Sequence, residues 1–155
     1  MSTDYIVASL PTLAFDAPAP ITWEKFAETA PDAERLVASS GWTDLETQLR
    51  NAMAAARGGS KYERPADGCS LYWKNRVTAC FQEKDVAKRD ELLDQVWWDA
   101  AGELTLPADP LGIGALRTYA IRLGIALRRS AISMDAGNAA FDRLTAETRT
   151  PGFNT

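Results

Sequence analysis

Apolar residues recur at intervals of three and four along most of this chain, and those intervals predict helices. Trp23 and Phe26 share a face in a helix over 22–30 that Thr22 can cap. Pro31 suits the first turn of a second helix, which buries Leu36 and Val37 and stops at Gly41. Thr43-Asp44-Leu45-Glu46 reads as a capping box, and Leu45, Leu49 and Met53 then follow at helical spacing until Gly58-Gly59. Residues 57–70 are rich in Gly, Pro and charge, which predicts a long exposed loop where mobility concentrates. A short helix over 71–81 comes next, then a long one from Asp85 to Ala101. Its inward positions are Val86, Leu92 or Leu93, Val96, Trp97 and Ala100, and Gly102 stops it. Residues 5–15 mix Tyr, Ile, Val, Leu and Phe around Pro11 and fit either a short strand or a first helical turn.

The most apolar segment lies later. Asp109 can cap, and Pro110 can open, a helix reaching to about Met134. Leu116, Tyr119, Ala120, Leu123 and Leu127 form one stripe on it, with Ile113, Ile121, Ile125 and Ile132 around them. A helix apolar nearly all round belongs at the centre of a domain. A last helix, Asp135 to Glu147, carries Phe141 and Leu144 ahead of a polar C-terminal tail. The pattern therefore predicts an all-α, single compact multi-helix domain over 1–155, built on a central helix near 110–134. The short N-terminal strand is its one non-helical alternative.

Composition narrows the chemistry. The chain has 155 residues, 46% hydrophobic and 25% charged, as a globular domain has. Its net charge of -4 argues against a nucleic-acid partner. With no histidine, the commonest general base, the Ser-His-Asp and Cys-His systems and the usual zinc ligand are missing. Cys69 and Cys80 are too far apart for a CxxC pair and read as reduced, packed thiols. No cofactor or metal is expected. The N-terminus lacks a positively charged n-region and no segment suits a membrane span, so a cytoplasmic protein is expected.

Charge is distributed unevenly. Residues 83–109 hold eight acids against three bases, whereas residues 110–134 hold four arginines and no acid. A short connector should lay the two helices side by side with their charges facing. Arg117, Arg122 and Asp94 are the structural ion-pair candidates, and Arg128 and Arg129 suit a helix C-terminus. The same arginines could instead bind phosphate in a pocket between the two long helices, as a small-molecule enzyme would. Gly112-Ile113-Gly114 lacks the third glycine of a dinucleotide loop, and Gly58-Gly59-Ser60-Lys61 lacks the P-loop order. Trp97-Trp98 fits core better than a stacking platform. Glu24 with Glu28, and Asp90 with Asp94, fit solvated helix faces better than metal sites.

Several of these residues also form a family pattern. Tyr5, Ala8-Ser9-Leu10-Pro11 with Leu13 and Phe15, and Leu49-Arg50-Asn51 with Ala55-Ala56-Arg57 make its first half. Glu91-Leu92-Leu93-Asp94 before Trp98, Tyr119 with Leu123 and Arg129, and Gly137 with Phe141 and Leu144 make its second. This pattern resembles a bacterial family of unknown function encoded beside V/A-type ATPase genes. The resemblance implies a non-catalytic helical protein, similar in role to the C (or d) subunit, which links the central stalk of a rotary ATPase to its membrane ring. It also implies protein partners from that complex and a place at the cytoplasmic face of the membrane. The chain is shorter than such a subunit, so it would form one part of an assembly or serve another task. Arg50 and Arg57, at the family's Leu-Arg-Asn and Ala-Arg positions, are the partner-contact candidates.

Overall fold

The computed structural model describes residues 2–148, and among them seven α-helices and two short 3-10 turns form an all-α fold. The helices are α1 Thr3–Ser9, α2 Trp23–Thr29, α3 Ala33–Val37, α4 Ser40–Gly58, α5 Leu71–Cys80, α6 Val86–Ala101 and α7 Ile113–Thr148. The predicted polar tail lies outside the described residues beyond Thr148.

Local chemistry starts several of these elements. The side chain of Ser2 accepts from Tyr5 N, so residues 3–9 open as a helix and the N-terminal strand is set aside. Thr22 Oγ1 accepts from Lys25 N at 3.2 Å and caps α2. Asp85 Oδ1 accepts from Ala87 N at 3.0 Å and caps α6. Gly59, at φ 101°, ends α4 in a conformation that L side chains rarely adopt.

Tertiary packing overrides other signals. The Thr43 capping box sits inside α4, because the helix begins one turn earlier and so carries Trp42 into the core. Gly41 is thus interior to α4 rather than a stop. Thr43 Oγ1 bonds back to Ser39 O at 3.0 Å, and Glu46 turns to other work. On α6, Leu93 is buried and Leu92 exposed, Val86 is exposed, and Trp98 rather than Trp97 is the deeply buried indole. Trp98 meets the edge of Phe15 at 5.7 Å between ring centres, so the N-terminal segment helps cover the buried indole. The helices expected at 110–134 and 135–147 are one continuous α7 that starts at Ile113, three residues after Pro110.

Helix α7 lies between two apolar clusters. One face gives Leu116, Ala120 and Leu123 to Ile6, Phe26, Ala33 and Leu36 of α1, α2 and α3. Another gives Ile121, Ile125 and Ala126 to a cluster built on Leu49, Val77, Leu93 and Val96 of α4, α5 and α6. Residues 10–22 run beside α7 as a strap: Tyr119 Oη donates to Pro11 O at 2.7 Å, and Ala19 N donates to Ser130 Oγ at 3.0 Å. Ser133 and Met134 still border a groove with strap residues 15–18, and past Met134 the helix leaves the body.

Helices α6 and α7 are antiparallel. Their register is fixed where Thr118 Oγ1 lies 2.8 Å from Ala101 O, Arg122 Nε donates to Trp98 O at 2.9 Å, and Arg128 pairs with Asp94. Gly114 makes the tight start of α7 feasible, since any Cβ there would collide with the backbone carbonyl of Leu104. That contact, rather than a nucleotide, accounts for a glycine at this position.

Candidate functional site

Two surfaces could do work: a cleft in the body and the projecting end of α7. The cleft, of about 740 Å³, opens between α4, α6 and α7 near the seam of the two clusters. Trp23, Trp42 and Trp97 wall it, and Leu93, Ile121 and Ile125 form its apolar floor. At Gly124 an added Cβ would meet nothing within 4 Å, so the cleft reaches bare backbone of α7.

Charged groups sit around its rim and are mostly paired. Glu46 takes Arg50 at 3.4 Å and also accepts from Trp97 Nε1 at 3.4 Å, tying α4 to α6. Asp94 takes Arg128 and, at 3.5 Å, Arg129; Glu91 takes Arg129 at 3.6 Å. Asp90 lies exposed on the rim without an ion partner among the described residues. No Ser, Thr, Cys, Lys or Tyr lines the cleft, so the described residues there offer no nucleophile other than carboxylate.

The three ion-pair candidates do not meet one another. Asp94 stands opposite Arg128 in the antiparallel register, further along α7 than Arg122. Arg122 instead bonds the Trp98 carbonyl and stacks over the Trp98 ring at 5.3 Å. Desolvation lowers its pKa, and the charge of Asp99 opposes that shift. Asp99 itself pairs with Arg76 at 2.8 Å. For Arg76, desolvation pulls the pKa down, but the hydrogen bond and charge of Asp99, together with those of Tyr72, outweigh it and leave it raised. Arg117 Nε is buried with no hydrogen-bond partner among the described residues. Neither Arg117 nor Arg122 lines the cleft, so the arginine pair expected to hold a phosphate there is absent from it.

The contact candidates Arg50 and Arg57 are both exposed on α4. Arg50 borders the cleft, while Arg57 lies 5.4 Å over the Phe81 ring, which Arg89 also approaches at 5.4 Å. The 59–70 segment is exposed yet anchored to α4. Asn51 bonds both the N–H and the carbonyl of Arg64 at 2.7 Å, and Gln48 Oε1 accepts from Ser70 N at 2.8 Å. Asp44 accepts from Gln48 and from Asp67 N, which lowers its pKa. Of the thiols, Cys69 is exposed rather than packed, whereas Cys80 is buried and desolvation raises its pKa.

The second surface was harder to see from the sequence. Beyond Leu127 the stripe that buries Leu116, Ala120 and Leu123 continues through Ala131, Met134, Asn138 and Phe141, all exposed. The signal was present in the spacing, but an expected break at Asp135 divided it.

Among the described residues no cluster of Cys, Asp and Glu suits a metal ion, and no helix is long and apolar enough to cross a membrane. No protein-family model, curated protein or solved structure matches the chain.

Proposed function

We propose that this chain is a non-catalytic subunit or accessory factor of a bacterial V/A-type ATPase, similar in role to the C (or d) subunit, acting through protein contacts at the cytoplasmic face of the membrane. The family pattern supplies the identity of the complex. The observation that supports a contact role is the end of α7. There Met134, beside the strap, and Phe141 and Leu144 further out are all exposed on a stretch of helix that no other described helix covers, and exposed apolar rows of this kind mark interaction sites. The test is affinity capture of the tagged full chain from cells that contain an assembled V/A-type ATPase. Retention of stalk or rotor subunits through a moderate-salt wash is expected. An intact ATPase that is never captured overturns the proposal.

A second reading is a small-molecule site in the cleft between α6 and α7. Its support is a cavity of about 740 Å³ with three indole walls and a few charged groups at the rim, which is the make-up of ligand pockets in general. A thermal-shift screen with aromatic and cationic compounds tests it. Binding that a Gly124→Leu substitution blocks is expected; no stabilisation by any compound removes the reading.

A further inference from the structure

The exposed end of α7 carries a charge pattern as well as an apolar one. Leu127, Ala131, Met134, Asn138 and Phe141 follow one another at intervals of four, three, four and three, the repeat of a two-helix seam. Asp135 and Asp142 each follow a stripe residue, so they line one flank of the seam one heptad, or about 10 Å, apart. Both are exposed and neither has an ion partner among the described residues. The other flank, Ser130, Gly137 and Leu144, holds no charge, and a Cβ added at Gly137 would meet nothing within 4 Å. Proximal to Leu127 the same stripe is already covered by α1, α2 and α3. The unpaired length is therefore a continuation of a surface that elsewhere in this molecule is packed by helices.

A second copy of the chain is a poor occupant. In an antiparallel pair Asp135 of one copy would face Asp142 of the other, placing like charges together at both ends. In a parallel pair the aspartates would face Ser130 and Gly137, which offer no counter-charge.

We propose that residues 131–144 of α7 dock an amphipathic helix from another protein, one whose apolar seam is flanked by Lys or Arg one heptad apart that pair with Asp135 and Asp142. The inference rests on the contact role proposed above and supplies the chemistry of its partner. Asn138, at a seam position, would fix the register of the pair at some cost in stability.

The test uses the full chain and two labelled helical peptides of about three heptads, with the same Leu and Ile seam, one flanked by Lys and the other by Glu. By fluorescence anisotropy at low salt the Lys peptide should bind about tenfold tighter than its Glu twin, as two attractive pairs replaced by two repulsive ones predict. Asp135→Lys with Asp142→Lys should reverse that preference. Met134→Ser with Phe141→Ser, at exposed positions that leave the core intact, should abolish binding of both peptides. Equal affinity for the two peptides, failure of the Lys peptide to bind, or binding unchanged by the serine pair overturns the proposal. So does dimerisation of the unmodified chain by light scattering that the serine pair removes, since a second copy would then be the occupant. Stripe-dependent binding to vesicles of anionic phospholipid would overturn it in favour of a membrane surface. The two proposals fail separately. Equal capture of the ATPase by the serine variant would sink the docking stripe and keep the assembly role; peptide discrimination without any ATPase capture would do the reverse.

Discussion

Leu123 and Phe141 occupy equivalent positions on one stripe of α7, about five turns apart, yet Leu123 is 0% exposed and Phe141 68%. The spacing that makes the stripe is the same in both halves of the helix. Around Leu123 the stripe meets Phe26, Leu36 and Ile6, and the strap bonds along it from Pro11 to Ala19. Around Phe141 none of these remains. A periodic apolar face thus identifies what a helix can bury, while the length of the strap and the positions of α1, α2 and α3 decide how much of it this chain buries for itself.

The largest effect should come from the packed half. Leu123→Ala removes a side chain enclosed on all sides and should lower unfolding free energy by about 2 to 5 kcal/mol, read from the midpoint of urea unfolding. Gly114→Ala, at the start of the same half, forces a Cβ into the Leu104 carbonyl and should cost about 1 to 3 kcal/mol, with the shift again in the midpoint. A loss there no larger than for an ordinary surface alanine would mean that α7 does not sit against the connector as described.

The strap can be probed by pH. Burial raises the Tyr119 hydroxyl from 10.0 to about 12, so the folded state prefers the protonated phenol that donates to Pro11. A raised folded-state pKa gives a contribution fully present below pH 10 and lost as pH rises through about 12. The unmodified chain should therefore lose stability over that window faster than Tyr119→Phe, which lacks the titrating group. The variant should start lower at about pH 8, having lost the Pro11 bond. Parallel curves for the two proteins would detach Tyr119 from the strap.

What the sequence made legible were features decided within a turn or two of chain. Thr22 and Asp85 cap because their side chains reach N–H groups two or three residues on, and Gly59 ends α4 because its φ suits little else. Features decided by distant contacts were not legible. The capping box at Thr43 is chemically sound, but burying Trp42 outweighs it. Trp97 and Trp98 differ by one residue, and distant contacts distinguish them: Phe15 and Arg122 lie against Trp98, whereas Trp97 bonds Glu46 at the cleft. The excess of acid before residue 110 and of arginine after it did foretell charge exchange between α6 and α7. The partners depend on register, which places Arg128 rather than Arg122 beside Asp94. The cleft needs residues from five helices and has no motif. The break expected at Asp135 failed because aspartate inside a helix costs only about a few tenths of a kcal/mol, and alanines at 136 and 139 favour continuing.

The smallest predicted effect is the one that tests the comparison most directly. Phe141→Ser replaces a large aromatic, which in a core would cost several kcal/mol. On the distal half the side chain has solvent on most sides, so the unfolding free energy of the isolated chain should change by no more than about 0.5 kcal/mol. Serine is also a slightly poorer helix former, which sets the expected sign as a small loss. A loss comparable to that of Leu123→Ala would mean that the stripe beyond Ser130 is covered in solution by this chain itself. An unchanged midpoint, together with lost binding of the basic-flanked peptide, would separate what the residue does for the fold from what it does for a partner.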